Sequence, residues 1–196
     1  MRAIKNLKVI SLIFFLCGTI VFVGCKKDPE HEDPNGTETP TSPETPGGPE
    51  VPETPTDTTK KPETINKTLL LKLVNDQRAA GCDCGEKGYF APANPVTWND
   101  KLELAAGDHC SDMYENDFFD HTGSDGSKFS DRVKRREYNY NGGGENIAWG
   151  YSTEQEVING WLGSPGHCAN IMNPGFKEMG VAKIDIYWTQ VFGIPK

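Results

Sequence analysis

The feature that most limits this 196-residue chain is a run of evenly spaced prolines, Pro40, Pro43, Pro46, Pro49, Pro52 and Pro55. Proline fixes φ and lacks a backbone donor, so neither a helix nor a central strand can run through this stretch. From Lys26 to Pro62 the residues are mostly Pro, Thr and Glu, and Val51 is the one large aliphatic side chain. Such a segment cannot bury enough surface to offset its ordering entropy. It is expected to be a disordered tether over residues 26–63, biased toward polyproline II, with a reach on the order of 100 Å at ~3.1 Å per residue. A core must then come from residues 64–196, a length that suits one domain.

Ahead of the tether, Arg2, Lys5 and Lys8 precede an apolar run from Val9 to Val23. The run is shorter than the roughly 20 residues of a spanning helix, and its basic flank reads as a secretory signal over residues 1–25. Phe22-Val23-Gly24-Cys25 resembles a bacterial lipobox, with Phe22 where Leu is usual. That resemblance implies cleavage after Gly24 and lipidation of Cys25. The product is then held outside the cytoplasm on a bacterial membrane, at the outer membrane or cell surface. Stable anchoring needs more than one acyl chain, which a triacylated cysteine supplies. Residues 26–62 carry nine acidic against four basic groups, and residues 63–196 carry nineteen against thirteen. An acidic domain on an acidic tether argues against a nucleic-acid partner. The basic cluster Lys134-Arg135-Arg136 reads as the solvated face of a short helix.

Periodicity outlines the domain. Leu69, Leu70, Leu73 and Val74 form a helical stripe that ends at Gly81. After a loop from Cys82 to Pro95, Asn99 is an N-cap for a second helix, with Leu102, Ala105, Ala106, His109 and Met113 on one face. His109 on that face reads as a packed structural histidine, and His31 lies in the tether. Ser130 is a cap for a third helix. Ser152 with Gln155, or Thr153 with Glu156, forms a capping box for a fourth helix through Trp161. Gly142-Gly143-Gly144 reads as a turn, and Lys177–Ile184 and Tyr187–Phe192 as a terminal hairpin. Trp161 and Phe192 read as core, Trp188 as core or cleft wall, and Gln190 as a residue able to reach a cleft. The mixture predicts an α+β layered fold.

Four segments in order carry a family resemblance: Asp112-Met113 with Phe118-Phe119-Asp120-His121-Thr122-Gly123; Gly144-Glu145-Asn146-Ile147-Ala148; Trp161 through Gly163-Ser164-Pro165-Gly166-His167-Cys168-Ala169-Asn170-Ile171-Met172; and Gly180-Val181-Ala182 with Trp188 to Gly193. Together they resemble the CAP superfamily, the SCP-domain proteins related to cysteine-rich secretory proteins, antigen 5 and plant pathogenesis-related proteins. The resemblance implies a three-layer α-β-α sandwich with a central cleft. It places His121, Glu145 and His167 in the cleft and puts Ser164 where eukaryotic members have a second Glu.

Two imidazoles and a carboxylate suit a divalent metal such as Zn²⁺, with His121, His167 and Glu145 as candidate ligands and water completing the shell. Alternatively Glu145 fixes one imidazole tautomer and supports acid/base chemistry. Ser164 does not sit in a nucleophile elbow. The readings are therefore a membrane-tethered binding module for a small apolar, peptide or glycan ligand; a hydrolase of peptide or cell-wall material; or a structural or adhesion protein with a vestigial cleft. Cys17 falls in the leader, leaving Cys82, Cys84, Cys110 and Cys168 as disulfide candidates in an exported domain. Two long links are expected. The rival is a Cys/His zinc site through Cys82 and Cys84, whose spacing is narrower than the usual zinc pattern.

Overall fold

The computed structural model describes residues 60–196. The leader with Cys17 and Cys25, and almost all of the tether with His31, lie outside the described residues.

Helix α1 (Lys67–Ala80) is capped by Asn66, whose side chain accepts from the Leu69 amide, and ends at Gly81 with φ 77°. A short extended segment β1 (Cys82–Asp83), one 3₁₀ turn (Gly85–Lys87) and β2 (Tyr89–Phe90) make a small ribbon. Strand β3 (Thr97–Trp98) leads into α2 (Asp100–Glu115), where the expected N-cap Asn99 accepts from the Lys101 and Leu102 amides. Helix α3 (Phe129–Arg135) has Lys128 as its N-cap, so Ser130 lies inside it and is not its cap. Strand β4 (Tyr140–Trp149) is followed by α4 (Glu154–Gly163), and of the two candidate boxes it is Thr153 with Glu156 that closes.

A fifth helix, α5 (Pro165–Met172), was not expected as a helix; it starts with proline at its first position, where the missing N–H costs nothing. Strands β5 (Glu178–Ile184) and β6 (Tyr187–Pro195) form the terminal hairpin.

The main sheet runs β3-β5-β6-β4, parallel between β3 and β5 and antiparallel elsewhere. Strand alternation sends successive side chains to opposite faces. Met179, Val181, Trp188 and Phe192 meet α1, α4 and α5, where Leu70, Val74, Val157, Trp161 and Ile171 complete one apolar layer. Ala182, Ile184 and Val191 meet α2 and α3 through Leu102, Ala105, Ala106 and Val133. This is the α-β-α sandwich.

The stretch Gly142-Gly143-Gly144 is strand, not turn: Gly143 pairs with Gly193 and Gly144 with Phe192. A Cβ on Gly143 would stand 2.5 Å from the Phe192 carbonyl oxygen, so the glycine serves close approach. At Gly180 a Cβ would lie 2.1 Å from the Glu103 amide nitrogen, and the bare backbone lets α2 press onto β5. Trp161 and Trp188 are both core, and each indole N–H is satisfied, by the Ile147 and Tyr151 carbonyls at 3.1 and 2.8 Å.

Candidate functional site

The edge strand β4 organises the site because consecutive residues serve opposite faces. Glu145 pairs with Val191 and points toward α2 and α3; Asn146 pairs with Gln190 and points toward α5. On its side Glu145 is nearly buried, and its two oxygens are both engaged. Oε1 accepts from His121 Nδ1 at 2.9 Å, and Oε2 accepts from the Arg132 guanidinium at 2.8 Å. Burial alone would raise this carboxyl, but the His121 bond and the Arg132 charge outweigh it and hold the group below the ordinary carboxylate range. Glu145 is therefore an anion and can only accept. His121 must therefore donate from Nδ1, and its ring is half-exposed.

Two residues complete the floor that sequence reasoning had not assigned to it. Arg132, on α3, also donates to the His121 and Ser127 carbonyls at 3.1 and 3.0 Å, so it pins the loop carrying His121 to the same carboxylate it neutralises. It lies two residues before the basic cluster and is buried, whereas Arg135 and Arg136 pair at the surface with Asp125 and Asp108. His109 is buried on α2 as a structural histidine should be, and its Nε2 donates to the Asp120 carbonyl at 2.9 Å. That nitrogen is also 3.9 Å from Glu145 Oε1. Burial lowers the basicity of His109 against the pull of Glu145 and keeps it neutral, with Nδ1 enclosed and unbonded. No pattern in the sequence separates Arg132 from the exposed basic residues that follow it.

On the other face, Asn146 Nδ2 donates to Gln190 Oε1 at 3.0 Å and to the His167 carbonyl at 3.3 Å. Asn170 Nδ2 donates to Asn146 Oδ1 at 2.8 Å and to the Glu145 carbonyl at 3.1 Å. Gln190 is thus wholly buried beneath the floor, not in reach of a cleft. This amide chain ties α5, and with it His167, to the strand bearing Glu145. His167 is half-buried, and its basicity is lowered by burial and then by the charge of His121. The structure brings His121 and Glu145 into direct contact and His167 into electrostatic range. Ser164 ends α4 and starts α5, with its carbonyl accepting from the Cys168 amide at 2.8 Å.

The donor chemistry bears on a metal. With both oxygens committed and a guanidinium alongside, Glu145 is suited to orienting an imidazole rather than to ligation. The donors that remain are His121 Nε2 and the His167 ring. A polar groove of about 500 Å³ lies beside α2 and α3, lined by Asp108, Asp112, Asp125, Arg132 and Arg136 among others, and includes none of His121, Glu145 or His167.

The cysteines depart from the expected two links. Cys84 and Cys168 form a disulfide, with Cα atoms 5.5 Å apart, which braces the residue after His167. Cys110 is a buried thiol against the sheet, 3.3 Å from Thr189 Oγ1 and 3.4 Å from the Ala182 carbonyl, and burial pushes it up to about 12. It is inert, and it has no disulfide partner because it faces the α2 side while the other sulfurs lie on the α5 side.

The profile of the CAP family, described as the cysteine-rich secretory protein family, matches residues 71–192. The chain belongs to this family. Among curated relatives, the CAP chain is 38% identical over 101 residues to YkwD of Bacillus subtilis, covering 50% of this chain and 39% of that protein. It is 32% identical over 97 residues to the membrane protein YlbC of the same organism, covering 50% and 28%. The chain therefore spans well under half the length of these relatives. Among solved structures, an extracellular SCP-domain protein of Bacillus anthracis superposes with TM-score 0.58 at 29% identity, covering 66% of this chain and 40% of that one. An outer surface protein of Borrelia burgdorferi does so with TM-score 0.54 at 22% identity, covering 69% and 99%. The CAP sandwich read from the four motifs is the fold observed.

Proposed function

We propose that this CAP chain is an exported binding module that uses the surface around His121 and His167 as its recognition site. It takes a peptide, glycan or small apolar ligand there and performs no chemistry on it. The observation that carries this reading is the state of Glu145. A general acid or base works best with a pKa near the working pH, yet Glu145 is held below the ordinary carboxylate range with both oxygens occupied. It is a structural anion. A divalent ion such as Zn²⁺, when bound, would be held by His121 Nε2 and His167, with Glu145 orienting His121 from behind, and would give a ligand oxygen or nitrogen a Lewis-acidic anchor.

The lipobox-like Cys25 supports attachment to a bacterial membrane. An extracytoplasmic location agrees with the extracellular and outer-surface descriptions of two structural relatives. No helix among the described residues is long and apolar enough to cross a membrane.

The test is capture of the full chain on peptide and glycan arrays, with calorimetric Zn²⁺ titration alongside. Binding that is lost in His121→Ala and His167→Ala while the fold is retained supports the reading. Cleavage of any arrayed substrate by the wild type that Glu145→Gln abolishes would replace it with the hydrolase. For the anchor, Cys25→Ala is expected to move the protein out of the membrane fraction, and an unchanged membrane fraction removes that part of the proposal.

A further inference from the structure

The end of the tether, residues 60–63, is laid on the domain. Lys60 Nζ lies 3.4 Å from an Asp185 carboxylate oxygen and 5.4 Å from the centroid of the Tyr114 ring. Pro62 Cγ lies 3.4 Å from where a Cβ on Gly107 of α2 would stand. Glu63 donates its amide to the Lys183 carbonyl at 2.9 Å, and its carboxylate meets Lys183 Nζ and the Asp185 amide, each at 2.9 Å. Followed backward from α1, the chain thus passes beside β5 and α2 and arrives at Tyr114 and the β5–β6 turn.

Apolar surface is exposed where it arrives. Trp149 follows Ile147 by two positions on β4, so both side chains leave the sheet on one face, and the register partner of Trp149 is Tyr187. Ile147 and Tyr187 pack with Met113, Tyr114 and Phe118 on that face. The Ile186 carbonyl accepts from the Gly150 amide at 3.0 Å, which sets Ile186 next to Trp149. Trp149 is 53% exposed and Ile186 37%. An indole and a branched aliphatic chain left in water beside half-buried rings mark an interaction surface.

We propose that tether residues 51–59 cover this patch, lying as an extended polyproline II stretch across Tyr114, Phe118, Tyr187, Ile186 and Trp149. The contacts of residues 60–63 deliver the chain to it. The stretch from Val51 to Thr59 holds the tether's one large aliphatic side chain and, in Pro52 and Pro55, two of its spaced prolines. At ~3.1 Å per residue, Pro55 reaches about 15 Å and Val51 about 28 Å beyond Lys60. Adjacent strands are only about 4.8 Å apart, so the whole patch is within that reach. Polyproline II segments bind aromatic-lined surfaces because their conformation is already set and little entropy is lost. A segment that cannot build a core of its own can lie on one already built. The short link holds it at an effective concentration on the order of millimolar, so even a weak contact is occupied. Docking takes about 28 Å of reach out of the free tether. It also lays the tether beside the loop that runs from Phe118 to His121, and so fixes how that loop is turned relative to the anchored end. The proposal uses none of His121, Glu145 or His167 as a contact and stands apart from what they bind.

The experiment is timed cleavage by a glutamyl endoprotease of the full chain with Cys25→Ser, so that no acyl chain competes for the patch. The tether carries one tetrapeptide twice, Pro43-Glu44-Thr45-Pro46 and Pro52-Glu53-Thr54-Pro55, so the outer copy is an internal control for the inner one. Cleavage after Glu53 should be about fivefold slower than after Glu44, because proteolysis tracks the open population. Trp149→Ser and Ile186→Ser, each at an exposed position, should bring the two rates to within about twofold of each other. Tyr89→Ser, exposed on the β1–β2 ribbon, should leave the wild-type ratio in place. The ratio should also persist in high salt: rings and prolines make the contact, while Asp117 and Asp185, the acids facing Tyr187, carry the same sign as Glu53 and Asp57. Equal rates in the wild type overturn the proposal, as does protection that survives both Trp149→Ser and Ile186→Ser. Protection lost in high salt makes the contact ionic and overturns it too. Protection that fades on dilution assigns the patch to a second copy of the chain, and the tether is then not its occupant.

Discussion

Each face of the sheet buries one arginine, and the two guanidinium groups find their partners in opposite ways. On the α1, α4 and α5 side, Arg78 donates only to backbone carbonyls, those of Asn94, Ile171, Asn173 and Phe176. Two of these close the C-terminal end of α5, where the helix dipole is negative, so a cation is stable there without a counter-charge. On the α2 and α3 side, Arg132 meets a carboxylate and, through it, His121. The first arginine is a fastener for chain ends. The second sets the charge and tautomer of neighbouring side chains. Burial of a cation does not by itself tell these two roles apart; the partner it meets does.

The sharpest way to break this contrast is to remove Arg132. Arg132→Met leaves Glu145 buried without its compensating charge, and is expected to cost about 3–5 kcal/mol by denaturant titration. The paired variant Arg132→Met/Glu145→Leu should recover most of that loss, because both charges are then gone. No recovery would mean that Arg132 acts by packing, and the contrast with Arg78 would fall.

Next is the apolar layer on the Arg78 side. Met179→Ala should cost about 2–5 kcal/mol through its cavity, while the Zn²⁺ affinity proposed for His121 and His167 stays within threefold of wild type. A large change in affinity would show that the two faces are coupled.

Arg78→Met should cost about 1–3 kcal/mol, since the buried Ile171 and Phe176 carbonyls lose their donor. No side-chain substitution elsewhere should rescue it, because its partners are backbone; a rescuing second site found by selection would contradict that.

The smallest effect appears only on acidification. His109 and His167 have lowered basicity when folded. The unfolded chain therefore takes up protons first as pH falls through the ordinary histidine range, and stability drops there. Glu145, also lowered, adds a second loss below the ordinary carboxylate range. Urea midpoints against pH should thus decline in two stages, and His109→Gln should flatten the first. An unchanged first stage would show that His109 does not contribute to it.

Much of the fold was legible because its signals are local. The α1 stripe, the Asn99 cap, the Thr153–Glu156 box and the β5–β6 hairpin all rest on residues within a few positions of one another. Where the sequence misled, the deciding contact came from far along the chain. Three consecutive glycines look like a turn until Phe192 is laid against Gly143. Helix α5 goes unread in the sequence, and its place is set where it docks on α1 and α4. Cys110 and Cys168 look alike in composition, yet strand and helix orientation put them on opposite sides of the sheet.

By itself the sequence determined where a core could form, which residues cap and stripe the helices, and, through four ordered motifs, the family. These depend on backbone chemistry and periodicity, which act over a few residues. The tertiary structure alone decided that Arg132 joins Glu145 and His121, that His109 lies beneath them, and that Cys84 pairs with Cys168. Charge state, tautomer and thiol partnership depend on what lies within a few ångströms in space, and residues 13 and 24 positions apart become such neighbours only after the sheet is built.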